Sequence, residues 1–304
     1  MQSNQHFYAP GKLLLTAEYF VLDGALALAV PTRVGQEATI KVLQDKNFLI
    51  HWEAYHQDQL WLKTTINYST WEIVEANLIE AAQFVLKLLR ICYQISNKRF
   101  IDGLDYHILT RLQFPSHYGL GSSSTLMSLV GQWANVDPFL LNELVLGGSG
   151  YDIAVAQESS AILYENFPVR KIQKIHYQPH FASELIFIHL NQKQNSREGI
   201  ATFKSIEKNE LIIKQLSQLT LDVLNTESLE VFSSLMSLHE DIVADYLNLQ
   251  KVKDKFFQDC PVFVKSLGAW GGDFVLSQKF PGYSQYFADR GFADIWDWES
   301  MVLG

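Results

Sequence analysis

Pro115–Thr125, PSHYGLGSSST, joins two stretches of opposite periodicity, which confines the chain to folds in which a strand feeds directly into a helix. Before the junction, Gly103–Leu112 alternates apolar and polar residues as a strand does. After it, Leu126, Leu129, Val130 and Trp133 recur at spacings of three and four, which predicts a helix over Ser122–Ala134. Gly119 and Gly121 lack Cβ and so permit positive φ and close approach to a ligand, while Ser122, Ser123 and Ser124 open the helix with capping chemistry. The exposed N–H groups and positive dipole end of a helix start suit an anion such as phosphate. An ordinary strand-to-helix turn would share this local pattern. Two better-known phosphate loops are absent: no G-x-x-x-x-G-K-[ST] occurs, and Ser124 stands where the Rossmann pattern needs its third glycine or alanine.

The rest of the chain can be placed around that junction. Residues 6–66 read as strands separated by Gly, Pro, Asp and Asn: FYAP, KLLLTAEYFVL, ALALAVP, VGQEATIKVLQ, NFLIHWEAY and QLWLKTTI. Trp71–Ile95 reads as one long helix with Leu78, Ala82, Val85, Leu89 and Tyr93 on its buried stripe. A short helix begins at Asp137-Pro138, with Asp as cap and Pro in the first turn. From Gly147, GGSGYDIAVAQESSAILYE predicts a turn, a short helix and a strand, followed by strands at VRKIQKIH and ELIFIHL. Ile200–Asp259 contains no Pro or Gly and reads as helix broken near Asn225–Glu227. Strands at PVFVKSLGA and DFVLS flank AWGG, and the tail carries DIWDWESMV. The expectation is an α+β protein in two parts, residues 1–165 and 166–304, with the boundary falling between about 150 and 190.

Composition narrows the partners. A chain of 304 residues suggests one large or two intimately joined domains, and 48% hydrophobic residues give ample core material. A formal charge of −9 argues against nucleic acid or an anionic membrane surface as partner, so any phosphate must be held by backbone amides and a few local cations. Cys92 and Cys260 offer neither a disulfide framework nor a cysteine-rich metal site. The first residues lack a basic-then-apolar leader and no apolar run is long enough to span a bilayer, so a cytoplasmic location is expected. His6, His51, His56, His107, His176, His180, His189 and His239 show no metal-ligand spacing. Trp296, Trp298 and their aromatic neighbours read as core or as an oligomer contact, such as a homodimer.

Four patches carry chemistry: Ala9-Pro10-Gly11-Lys12 with the following LLLTAEYF, the glycine-serine loop, Gly148-Ser149-Gly150-Tyr151-Asp152, and Leu267–Asp273 with three glycines between two strands. Singly, each has a plain alternative: a solvated lysine, a turn, a helix cap, a hairpin. Together they resemble the GHMP kinases, the small-molecule kinase superfamily named for galactokinase, homoserine kinase, mevalonate kinase and phosphomevalonate kinase. Pro10-Gly11-Lys12 with Glu18-Tyr19 looks like the family's first motif, Pro115–Ser123 its second and Gly268–Asp273 its third, in the family's order and over nearly the whole chain. GSGYDIAVA, Gly271–Asp273 and Lys193–Glu198 are most similar to the mevalonate and phosphomevalonate kinases.

That resemblance implies a nucleotide cleft, ATP and Mg²⁺ as cofactors, and a small acid as phosphoryl acceptor. It makes Asp152 and Lys12 the catalytic pair, with Asp152 orienting or deprotonating the acceptor and Lys12 offsetting charge. Pro115, Gly119, Leu120, Gly121, Ser122, Ser123 and Ser124 would wrap the ATP phosphates. Lys12, Glu18, Tyr19, Ser149, Ser196, Arg197 and Gly271 would bind the acceptor. Separately from the resemblance, Lys193, Arg197 and Lys265 are the cations available to meet a phosphate rather than a hydroxyl acceptor. Ser123 and Glu143 would be the metal ligands. Departures from the family pattern are Ala17 where Gly is common, His117-Tyr118 in place of small residues, Trp270 where Gly is usual, and a shortened stretch between Ser123 and Asp152. These leave open a GHMP-like binding protein without efficient catalysis, and a related decarboxylase that phosphorylates and then fragments a diphosphorylated acceptor.

Overall fold

The computed structural model describes residues 4–96, 100, 103–192, 196–268 and 270–304, and leaves the side chains of Ser196 and Arg197 undescribed. In chain order the elements are β1 Gln5–Leu14, β2 Ala27–Leu43, β3 Leu49–His56, β4 Gln59–Asn67, β5 Glu72–Ala76, α1 Ile79–Ile95, β6 Asp105–Leu112, α2 Ser122–Ala134, α3 Pro138–Val145, α4 Tyr151–Glu158, β7 Ala161–Glu165 and β8 Lys171–Ile175. They continue with β9 Leu185–His189, α5 Ser196–Ser205, α6 Glu210–Asn225, α7 Leu229–Leu247, α8 Val252–Phe256, β10 Val264–Ser266, β11 Phe274–Gln278, α9 Tyr283–Ala288, β12 Ile295–Asp297 and α10 Trp298–Met301. The chain is thus a mixed α/β protein that forms two compact units, each assembled from separated segments.

The first unit takes residues 1–11, 34–116 and 121–157. Its sheet runs β5-β4-β3-β6-β2, with β3 and β6 parallel and the other pairs antiparallel. Alternation along β3 sends Ile50, Trp52 and Ala54 into a core shared with Ala82, Val85, Leu88, Leu89 and Cys92 of α1. Trp133 of α2 closes that core edge-on against Phe100 and Tyr106, with centroids 5.3 and 5.6 Å apart. The second unit takes residues 12–33, 117–120 and 158–304. There Ala27–Ala29 of β2 pairs with β7, which pairs with β8, and a second antiparallel sheet runs β10-β11-β9-β12. Its β9 is wholly buried, and Ile186 and Ile188 pack with Val275, Phe257 and Phe287.

Several local expectations are revised. Leu15–Val21 leaves the strand for a turn and a short 3-10 helix, Phe20–Asp23. Glu72–Ala76 is an edge strand on β4, not the first turns of α1, and Trp71 at φ 57° breaks the chain ahead of it. Pro31 does not end a strand, because it lies between the β7 ladder at Ala27–Ala29 and the β6 ladder at Gln36–Leu43. The helical span after Ile200 also breaks at Asn209, whose side chain caps α6, and at Asn248, a left-handed C-cap at φ 51°. α2 spans Ser122–Ala134 as expected, and the Asp137 carboxylate accepts from the Phe139 amide at the start of α3.

Candidate functional site

In the second unit, β1 delivers Lys12 to a buried position, 8% exposed, where its amide donates to the Leu120 carbonyl at 3.0 Å. The chain then turns sharply, with Ala17 at φ 63° and Tyr19 at φ 62°. A left-handed alanine explains why glycine suits that position. The turn drives Glu18 into the interior at 0% exposure. There it accepts from Lys265 Nζ at 2.5 Å, and its Oε2 lies 3.3 Å from His239 Nε2. His239 Nε2 accepts from the Ala17 amide at 2.7 Å, and burial holds its pKa well below the ordinary histidine value, so the ring is neutral. Glu18 is itself pushed up by burial, against the pull of Lys265. Lys265 is therefore paired inside the fold and is not among the cations available at the surface.

Tyr19 points elsewhere. Its hydroxyl accepts from the Trp270 amide at 3.2 Å, and its ring stacks on Phe203 of α5, centroids 6.0 Å apart at 23°. A Cβ on Gly199 would come within 2.3 Å of that hydroxyl, so only glycine lets the first turns of α5 pass Tyr19. Tyr19 thus ties the first motif to the third, and to the helix that opens with Ser196 and Arg197. Lys193 and the side chains of Ser196 and Arg197 lie outside the described residues. The third motif is the β10–β11 connection, with Gly268, Gly271 and Asp273 at positive φ. Trp270 is buried at 6% exposure. Gly119, at φ 69°, packs against Asp273 so closely that a Cβ there would meet the carboxylate at 2.1 Å.

The first unit holds the helix side of the loop. Gly121, at φ 85°, is the N-cap of α2, with no side-chain cap hydrogen bond. Its carbonyl accepts from the Ser124 and Thr125 amides at 3.0 Å each, while Ser123 is exposed and Ser122 half-buried. Ser124 Oγ donates to Asp152 Oδ2 at 3.4 Å, and Thr125 Oγ1 donates to Gln36 Oε1 at 2.7 Å. Asp152 stands in the first turn of α4, reached through Gly147, Gly148 and Gly150, all at positive φ, with Ser149 buried between them. Glu143 lies on an exposed position of α3. Pro115 is half-buried at the loop entrance. Gln36 had no sequence signal beyond a polar residue within an apolar strand, and His239 and Glu240 had none.

Among the described residues no three or more His, Cys, Asp or Glu side chains form a group that could hold a metal ion. What the loop offers is an exposed serine hydroxyl at an uncapped helix start, which fits a cation that keeps its own waters and phosphate oxygens, as Mg²⁺ does. No described helix is long and apolar enough to cross a membrane.

No protein-family model matches the chain, and no curated protein matches it. Solved structures do. Mevalonate kinase of Methanococcus jannaschii superposes with a TM-score of 0.69 at 17% identity, covering 97% of each chain. Phosphomevalonate kinase of Streptococcus pneumoniae in complex with phosphomevalonate and AMPPNP gives 0.67 at 17%, covering 95% of this chain and 97% of that one. Galactokinase of Lactococcus lactis complexed with galactose gives 0.69 at 14%, covering 100% and 94%.

Proposed function

From the GHMP kinase fold that this chain adopts, we propose that it is an ATP-dependent small-molecule kinase whose acceptor is a small acid of the mevalonate or phosphomevalonate type. The observation that carries this reading is the uncapped start of α2 behind the left-handed Gly121, with Ser124 joining it to Asp152. The acceptor oxygen attacks the γ-phosphorus as the bond to the β,γ-bridging oxygen breaks; ADP leaves, and the acceptor proton passes to Asp152 or to water. Charge builds on the transferring group and on the leaving oxygen, so positioning and neutralisation supply most of the rate. The amides of Gly121–Ser123 meet the phosphates, Ser124 orients Asp152 toward the acceptor, and Lys12 supplies positive charge. Ser123 would hold Mg²⁺ together with the phosphates, and that ion would supply screening of the nucleotide's charge.

Glu18 serves this chemistry from inside the fold, by fixing the turn that presents Tyr19. For the acceptor this reading assigns Tyr19 and Gly271 within the second unit and Ser149 within the first. Glu143 is left without a role. The galactokinase likeness favours a second reading, a sugar hydroxyl as acceptor.

The test is ADP release from Mg·ATP with mevalonate, phosphomevalonate, diphosphomevalonate, homoserine and galactose offered in turn, in the native chain and in Asp152→Asn. Acceptor-dependent turnover that drops at least about a hundredfold in the variant, with ATP affinity nearly unchanged, supports the reading and names the acceptor class. Turnover that survives removes Asp152 from the mechanism, and silence with every acceptor despite ATP binding points to a binding protein.

A further inference from the structure

The four residues His117–Leu120 belong to the second unit although the chain on either side of them belongs to the first. Three anchors explain this. The Leu120 carbonyl accepts from the Lys12 amide, Gly119 packs on the Asp273 carboxylate, and Tyr118 reaches into the C-terminal tail. The third anchor is the most elaborate. The Tyr118 hydroxyl donates to Asp294 Oδ2. Asp294 Oδ1 accepts from Trp296 Nε1 at 2.8 Å, so both carboxylate oxygens are committed. The Asp294 carbonyl accepts from the His189 amide at 3.0 Å, where β12 joins β9. The Tyr118 ring stacks on His189 at 4.4 Å and 29°, and meets Phe274 of β11 edge-on at 5.3 Å.

Tyr118 is thus fixed by ring contacts to β9 and β11 and by a charge-assisted hydrogen bond to the segment entering β12. Burial and the neighbouring Asp294 raise the Tyr118 pKa, which keeps the proton on the donor. His189 is held below the ordinary histidine value chiefly by burial, which leaves a neutral ring beneath the tyrosine. Nothing in the loop's own sequence demands a tyrosine, since a small residue there would leave Gly119 and Gly121 just as free to turn.

We propose that Tyr118 is a positioning residue, a latch by which Asp294 of the C-terminal tail fixes the entry to the glycine loop and so sets how tightly the loop holds a nucleoside triphosphate. The conformational cost of ordering the loop is met on folding, so a bound nucleotide does not have to meet it. Residues 294–296, outside every motif, then tune nucleotide affinity without touching the nucleotide. The nucleotide part rests on the kinase reading; the ordering of the loop does not.

Two measurements separate the two claims. Hydrogen exchange at the Lys12 amide, which donates to the loop's Leu120 carbonyl, in the ligand-free full chain, is expected to speed up roughly tenfold or more in Tyr118→Phe, which keeps the ring but loses the donor. Trp296→Phe, which frees one carboxylate oxygen but leaves the latch, should show a smaller increase. Exchange at this amide that matches the native chain in Tyr118→Phe overturns the latch, whatever the protein binds. Calorimetric titration with Mg·ATP is the second measurement, with Asp294→Asn as a variant that retains an acceptor oxygen. Affinity should fall roughly tenfold in Tyr118→Phe and less in Asp294→Asn, with KM for ATP rising more than kcat falls. If exchange at the Lys12 amide rises while ATP affinity is unchanged, the tuning role is wrong and the latch is only structural. A native chain that binds no ATP, but whose exchange at the Lys12 amide still responds to Tyr118→Phe, refutes the kinase reading and the tuning role while leaving the latch intact.

Discussion

Asp105 in the first unit and Glu18 in the second are buried carboxylates, at 2% and 0% exposure, and the molecule keeps each charge by a different means. Asp105, at the start of β6, accepts from the Asn47 amide at 2.9 Å, Asn47 Nδ2 at 2.9 Å and the Leu49 amide at 3.1 Å. Burial alone would raise its pKa, but these neutral donors outweigh burial and hold it below the usual carboxylate range. Glu18 has a counter-charge instead, Lys265, from 247 residues away. Around that pair stand neutral His239 and Glu240, whose carboxylate accepts from the Ser266 amide at 3.0 Å and from Ser266 Oγ at 2.9 Å. Burial raises the Glu240 pKa to about 7. Asp105 too depends on a segment distant in sequence, Asn47–Leu49, but its donors are neutral and share its charge among three hydrogen bonds, whereas Glu18 relies on a single buried counter-charge. The second arrangement lies directly beneath Tyr19 and the first motif.

The sharpest way to break this contrast is Lys265→Met, which strands Glu18 without its counter-charge. Urea unfolding should register a loss of about 3–5 kcal/mol, most of it regained in the Glu18→Gln/Lys265→Met double variant. A single-variant loss below about 1 kcal/mol would mean that the pair does not hold the charge.

Glu240→Gln tests the neighbouring group through pH. A carboxyl raised from 4.5 to about 7 in the folded state contributes stability that is present in full below pH 4.5 and is lost as pH rises through 7. The variant should remove a decline in unfolding free energy on the order of 3 kcal/mol across that window. An unchanged pH profile would place the titration elsewhere.

Asp105→Asn should have the smallest effect, about 1–2 kcal/mol at pH 7, because neutral donors lose least when the charge is removed. Its sign is opposite: a depressed pKa gives stability that is present above the ordinary value of 3.8 and lost as pH falls through the folded value. The deficit of the variant should therefore shrink in acid. A deficit that grows instead would mean that Asp105 is not held ionised by its donors.

Local chemistry explains which parts of the fold and candidate site could be read in advance. The helix at Ser122–Ala134, the Asp137 cap and the short helix carrying Asp152 follow from periodicity and capping residues within a few positions of one another. Glu72–Ala76 could not be read this way, because Glu-Ile-Val-Glu-Ala fits a helical stripe as well as an edge strand, and only β4 alongside decides it. Asn209 and Asn248 carry the chemistry of helix ends, but the apolar rhythm that continues across them masks the breaks. Lys265 reads as a free cation in an alternating strand, and nothing near it indicates that its ammonium is committed to Glu18.

By itself, the sequence determined the strand-to-helix junction, the left-handed glycines at 119 and 121, and the order of the motifs, because φ preference, capping and side-chain periodicity act over a few residues. Only the tertiary structure decided that Glu18 meets Lys265, that Tyr19 meets Gly199, and that Tyr118 meets Asp294 across 176 residues. The first depends on the register of β10, which carries Lys265, and the third on the pairing of β12 with β9 beside Asp294; a one-residue slip of β10 would send Lys265 to the opposite face.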